Sequence, residues 1–179
     1  GASELLQELV DRDHDASMRP PVPEPSSLDD SYPPEAIHCI YDADSSQMAA
    51  LAAVQQGHSF VLQGPPGTGK SQTITNLIAD CLARDKTVLF VAEKRAALDV
   101  VHRRLSAAGL SAHCLELHSH KAGKSAVYQQ IREVLELPAP PDDSAWRRDA
   151  EQVAALRARL NDHVRQLHTP RPHGFTPFE

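Results

Sequence analysis

Residues 62–73 read "LQGPPGTGKSQT", with three glycines, two prolines and a lysine in twelve positions. Gly64 to Ser71 fit the pattern G-x-x-x-x-G-K-[ST], a loop that cradles phosphates when it joins a strand to a helix. Glycines let the backbone curl until successive amides point inward, which builds an anion nest at the N-terminus of the following helix. The Pro65-Pro66 pair stiffens the loop, so less ordering is needed on binding. The reading assigns the phosphates of a nucleotide to Gly64, Pro65, Pro66, Gly67, Thr68, Gly69 and Gln72. Lys70 is expected to reach the β- and γ-phosphates and the Ser71 hydroxyl to ligate magnesium, so these two are the expected catalytic residues, with ATP or ADP and Mg2+ as cofactors.

Working outward, both flanks suit such a loop. Ser59 to Gln63 ("SFVLQ") is a short strand candidate, and Lys70 to Arg84 carries Ile74, Leu77, Ile78, Cys81 and Leu82 at the spacing of one helical face. "TVLFVA", Thr87 to Ala92, is β-branched and apolar throughout, as a strand covered on both faces should be. Arg95 to Ala108 is helical again, with Leu98, Val101 and Leu105 inward and Gly109 as its cap. "AHCLEL", Ala112 to Leu117, is a third strand candidate, and Ser125 to Leu137 a further helix through Val127, Ile131 and Val134. The alternation predicts an α/β fold: a RecA-like parallel sheet of the P-loop NTPase class with flanking helices, truncated, followed by a long C-terminal helix.

The 14 prolines mark the boundaries, since only Pro65 and Pro66 lie between Glu35 and Leu137. The expected organisation is an N-terminal arm over 1–35, partly disordered, and a nucleotide-binding core over 36–137. A Pro-rich linker over 138–143 then leads to a helical extension and tail over 144–179. In that extension Trp146, Ala150, Val153, Leu156, Leu160, Val164 and Leu167 recur at three- and four-residue steps behind Ser144 as a cap. One narrow stripe on so polar a helix suits a single partner helix, as in one leg of a stalk, or a plain docked terminal helix.

The chain has 179 residues, is 41% hydrophobic and 23% charged, and carries a net charge of −6. That composition is a soluble globular one, and any grip on nucleic acid must come from a local basic patch. At 4% aromatic residues, a base-stacking platform is excluded. The odd, widely spaced Cys39, Cys81 and Cys114 argue for a reducing, cytoplasmic setting. No apolar run is long enough to span a membrane. His113-Cys114 and His118-x-His120 have zinc-binding residue types without the spacing of a closed site, so a metal centre other than nucleotide-bound magnesium is not expected.

The sequence resembles superfamily 1 helicases, in the group of the nonsense-mediated-decay RNA helicase and of bacterial DNA helicase-like proteins with an AAA_11-type ATP-binding domain. The resemblance covers Tyr41 to Lys124, the N-terminal part of a first motor domain. It rests on "DADSSQMAAL", "GPPGTGKSQT", "VLFVAEKRAALDVVHRRL" and "LELHSHKAGK". It implies that Gln47 reads adenine, a role its side-chain amide suits with one donor and one acceptor face. It also implies contacts to a nucleic-acid backbone near Glu93-Lys94-Arg95, where Lys94 and Arg95 would hold phosphates; by charge alone, Lys121 and Lys124 are further candidates for such contacts. The charged triplet itself departs from the small polar residues of many family members.

No acidic pair closes an apolar strand after residue 70, and Glu116 stands alone inside an alternating segment where it should face solvent or a basic side chain. The chain therefore reads as a fragment, cut before its second catalytic motif. The expectation is the ATP-binding part of an ATP-dependent DNA or RNA helicase or translocase, slow to hydrolyse ATP by itself. Its expected partners are single-stranded DNA or RNA and the remaining motor domain of the same polypeptide. The alternatives are an AAA+-type ATPase, or a regulatory nucleotide-binding module without turnover.

Overall fold

The structure, a computed structural model, describes residues 23–117, 124–138, 142–172 and 174–178. Its helices are α1 (Leu28–Ser31), α2 (Ser45–Gln55), α3 (Lys70–Ala83), α4 (Arg95–Ala107), α5 (Lys124–Leu135) and α6 (Ser144–His168), with 3-10 turns at Pro25–Ser27, Pro34–Ala36 and Ser111–His113. The helices after the loop fall close to where periodicity puts them. Gly109, in the left-handed region at φ 80°, follows α4 as expected.

The expected RecA-like parallel sheet is not formed. Among the described residues no strand is present, and residues 59–63, 87–92 and 112–117 exchange no backbone hydrogen bonds with one another. Period-two alternation survives in one of them: Phe90 packs on the core while Leu89 and Val91 are 84% and 76% exposed. A parallel sheet is stable when helices cover both faces. Here Leu89, Val91, Val61 and Leu117 are left uncovered, so strand propensity finds neither a second layer nor a ladder. Between 88–92 and 113–117 runs an apolar groove of ≈ 370 Å³, closed below by Ile78, Val101 and Leu105.

Helix α3 is the centre of the packing, against α2 on one side and α4 on the other. One apolar cluster joins Leu28, Tyr32 and Ile37 to Ala49, Leu51 and Ala52 of α2; a second joins Ile78 of α3 to Val101 and Leu105 of α4. The most buried side chains of α3, however, are polar: Thr73, Thr75, Asn76 and Asp80 are 2% exposed or less.

That polar row has a geometric cause. The chain from Ala36 to Asp42 runs antiparallel along α3 as a strap, and side chains four residues apart on α3 grip it in reverse order. Gln72 Nε2 donates to the Asp42 carbonyl. Asn76 Oδ1 accepts the amides of Ile40 and Tyr41 at 3.1 and 3.0 Å, and its Nδ2 donates to the Tyr41 carbonyl at 3.0 Å. Asp80 accepts from the His38 amide at 3.2 Å and from Gln55 and Arg84, each at 3.1 Å. Arg84 also donates to the Ala36 carbonyl. Four helical residues rise about 6 Å and two extended residues about 6.6 Å, so the two repeats stay in step over this length. The backbone groups of the strap are satisfied by a helix face rather than by a ladder, as buried amides require.

Helix α6 docks on the N-terminal arm. Arg157 donates to the Tyr32 carbonyl at 2.6 Å and pairs with Asp29 at 3.5 Å, and Asn161 donates to Asp29 at 3.0 Å. Trp146 stacks on His38 with centroids 5.7 Å apart. Ala150 is buried, while Val153, Leu156, Leu160 and Val164 of the stripe stay about half exposed. Ser144 is the first helical residue rather than the cap; Asp143 holds that position.

Candidate functional site

The glycine-rich loop enters α3 through Gly69, which has φ 80° and ψ 14°, and Gly67 has φ 90°. Side-chain-bearing residues rarely adopt that region, so both glycines serve the turn itself. The loop is also tight. A β-carbon at Gly69 would lie 2.6 Å from Gln47 Nε2, and one at Gly64 would lie 2.5 Å from Thr68 Oγ1.

Thr68 closes the bend by donating its hydroxyl to the Pro65 carbonyl at 2.9 Å. The Lys70 ammonium folds back over the loop and donates to the carbonyls of Gly64 and Pro65, the latter at 2.7 Å. The first intrahelical bond of α3 runs from the Thr73 amide to the Gly69 carbonyl at 2.9 Å. The amides of Lys70, Ser71 and Gln72 precede it and have no acceptor within the helix, at the end where the helix dipole is positive. Backbone donors, a lysine and the Ser71 position are therefore gathered within one turn, the donor set a polyphosphate with magnesium requires.

Gln47 lies in the first turn of α2, whose N-cap Asp44 accepts the Gln47 amide at 2.9 Å. Its side-chain Nε2 donates to the Thr68 carbonyl at 3.3 Å. Its Oε1 is buried and has no hydrogen-bond partner among the described residues. A buried acceptor without a donor costs about 1–3 kcal/mol, which a ligand N–H would offset. The residues therefore fit a purine nucleotide: an orphaned acceptor beside a loop in which Gly64 and Gly69 leave no room for a β-carbon.

The structure brings together Gln47, Gly64, Thr68, Gly69 and Lys70 by direct contact, and Ser71 follows in the same turn. Gln72 is engaged elsewhere, on the strap. Lys94 and Arg95 are exposed at the start of α4, where Lys94 is the N-cap and Arg95 Nε lies 3.6 Å from Asp99 Oδ1. No acidic residue occupies that first turn, so the two cations add to the positive end of the helix dipole. Lys121, His118 and His120 lie outside the described residues, as does the side chain of Lys124. Among the described residues no group of three or more His, Cys, Asp and Glu could hold a metal ion, and no helix is long and apolar enough to cross a membrane. Glu116 meets a basic group: its Oε1 lies 3.3 Å from His102 Nδ1.

Sequence reasoning missed Asn76 and Asp80. It read α3 by its apolar positions, whereas the row 72, 76, 80, 84 of Gln, Asn, Asp and Arg is itself a face repeat. Four polar residues at strict four-residue spacing, all able to bond backbone, were the available signal.

The N-terminal thiol chemistry is quiet. Cys39 is exposed as a residue, but partial burial of its sulfur, with the Asp80 carboxylate adding to it, pushes the thiol from 9.0 up to about 11, and the sulfur lies 3.7 Å from Met48 Sδ. Burial also raises Cys81 and Cys114.

A stretch of 46 residues, 26% of this chain, is 54% identical to an uncharacterised ATP-dependent helicase of Mycoplasma genitalium, and covers 4% of that protein. A stretch of 45 residues is 56% identical to the homologue of that helicase in Mycoplasma pneumoniae, again 4% of its length. No solved structure matches the chain. The sequence model of AAA_11, described as an AAA domain, matches residues 42–167. Since that match takes in well over half of the 179 residues, from the strap before Gln47 to the end of α6, the chain belongs to the AAA_11 family of AAA domains, the helicase-like group its sequence resembles.

Proposed function

We propose that this chain is the ATP-binding part of a DNA or RNA helicase or translocase motor. The observation that carries the reading is the meeting of Gln47 with the glycine-rich loop, which sets an unpaired acceptor beside a phosphate-type nest. Gln47 would accept from the adenine amino group. The amides of Gly64 to Ser71 with Lys70 would hold the phosphates, and Ser71 would ligate magnesium. Magnesium, when bound there, would neutralise phosphate charge. The helicase-named relatives support a nucleic-acid strand as partner, with Lys94 and Arg95 as the contacts offered by α4.

These 179 residues are proposed to bind nucleotide far better than they hydrolyse it. Turnover needs a carboxylate that positions metal and water, and Glu116 is held by His102. The test is calorimetric titration with Mg-ADP of the chain and of Lys70→Ala, followed by a phosphate-release assay with Mg-ATP. Binding that Lys70→Ala abolishes, with turnover near background, is expected. Equal binding by both proteins would remove the site from the loop.

A further inference from the structure

The polar row of α3 does more than hold the strap. Two of its members lie at the nucleotide end of the helix: Gln72, two residues after Lys70, bonds the Asp42 carbonyl, and Asn76, fully buried, makes three bonds to Ile40 and Tyr41. Two residues beyond Asp42, Asp44 caps α2 at Gln47, and Gln47 returns to the loop at Thr68. The connections close into a circuit: loop, α3, strap, cap, Gln47, loop. Gln47 Nε2 fits against the loop where Gly69 carries no side chain, 2.6 Å from where its β-carbon would be. A shift of the strap along α3 by one backbone repeat would carry the Asp44 cap about 3.3 Å away, as far as the Gln47–Thr68 bond is long.

We infer that Gln72 and Asn76 are positioning residues for base recognition, which staple the strap to the helix that begins at the phosphate loop and so fix the offset between Gln47 and that loop. The inference rests on the nucleotide-binding reading and adds to it the origin of the preference for adenine. One helix then presents both the phosphate grip, through its N-terminus, and the anchor of the base reader, through its side. Asp80 and Arg84, at the far end of the same row, hold the strap with no such consequence.

The test uses the full chain, with Mg-ADP, Mg-GDP and Mg-pyrophosphate as separate calorimetric titrants. The variants are Gln72→Met, which keeps the length and removes the donor, Asn76→Ala, and Gln47→Ala as reference; urea midpoints record stability. Gln72→Met is the decisive variant, since Asn76→Ala empties a buried site and could unfold the chain. The inference expects the ADP-to-GDP affinity ratio to fall about three- to tenfold in Gln72→Met, the worth of one hydrogen bond, with pyrophosphate affinity unchanged. Gln47→Ala should show the same pattern. Equal losses for ADP, GDP and pyrophosphate in Gln72→Met, or an unchanged ratio while Gln47→Ala loses it, would overturn the staple and leave the nucleotide site standing. A parent chain that binds ADP and GDP equally, unaffected by Gln47→Ala, would overturn base reading and the staple with it, and one that binds none of the three titrants would overturn the nucleotide site as well.

Discussion

Gln47 lies against Gly69: its side-chain amide nitrogen sits 2.6 Å from where a β-carbon of Gly69 would be. The same amide donates to the neighbouring Thr68 carbonyl at 3.3 Å. A helix start and a loop that are 22 positions apart thus behave as one unit.

Gly67→Ala and Gly69→Ala separate strain from displacement. Both impose a positive φ on a side-chain-bearing residue, costing about 1 kcal/mol. At Gly67 nothing lies within 4 Å of the added carbon, so the loss should stop there. At Gly69 the new carbon pushes Gln47 aside, so adenine preference should fall together with stability. Urea denaturation and ADP-against-GDP titration of the two variants check this, and identical behaviour of the pair would refute it.

Asp80 concentrates the polar core. Removing its carboxylate leaves Gln55, the His38 amide and Arg84 facing a cavity, and Asp80→Ala should cost about 3 kcal/mol. Asp80→Asn, which keeps the acceptor toward the His38 amide, should cost less. Chemical denaturation of both gives the order; a loss below about 1 kcal/mol for Asp80→Ala would show that Asp80 adds little to the hold on the strap.

Cysteine ionisation supplies a pH dependence of known sign. The unfolded Cys39 thiol ionises near 9.0 and the folded one near 11, so between these values the unfolded state has lost a proton that the folded state keeps. Its contribution is fully present below pH 9.0 and is lost as pH rises through 11. The thiolate fraction at pH 8 is lower in the folded chain, so alkylation of the exposed Cys39 should run slower than in the unfolded chain. Peptide mapping after timed iodoacetamide treatment measures this; equal rates in folded and unfolded protein would contradict it.

Arg157→Ala should release α6 without touching nucleotide affinity. Arg157 ties α6 to the Tyr32 carbonyl and to Asp29, and the protein's single tryptophan, Trp146, reports the docking through its stack on His38. Faster amide exchange across 144–168 and a red-shifted emission are expected, with Mg-ADP binding as in the parent. An emission unchanged in position would mean that the arm and α6 are held by other contacts.

How far the sequence reaches depends on how local each cause is. The loop, the start of α3 at Lys70 and the turn at Gly109 follow from φ preferences and spacing within a few residues, and these are where expectation and structure agree. The alternation over 88–92 is genuine as well, since Phe90 and Leu89 do face opposite ways. What alternation cannot supply is a partner, and the sheet it implies needs pairing between segments some thirty residues apart. The buried face of α3 was hidden for a different reason. Asn76 and Asp80 carry the residue types of a solvated surface, and only the strap lying against them turns them inward. On α6 the apolar stripe drew attention away from Arg157 and Asn161, which make the docking contacts.

The central claim is that the loop from Gly64 to Ser71 binds a magnesium nucleotide, and the most direct measurement is a thermal melt with and without Mg-ADP, run in parallel on Lys70→Ala. Ligand at about a hundredfold over its dissociation constant adds about 2.7 kcal/mol by mass action, which for a chain of this size raises Tm by about 5–10 °C. The account predicts that rise in the parent and its loss in Lys70→Ala. An unshifted parent, or equal shifts in both proteins, would contradict it.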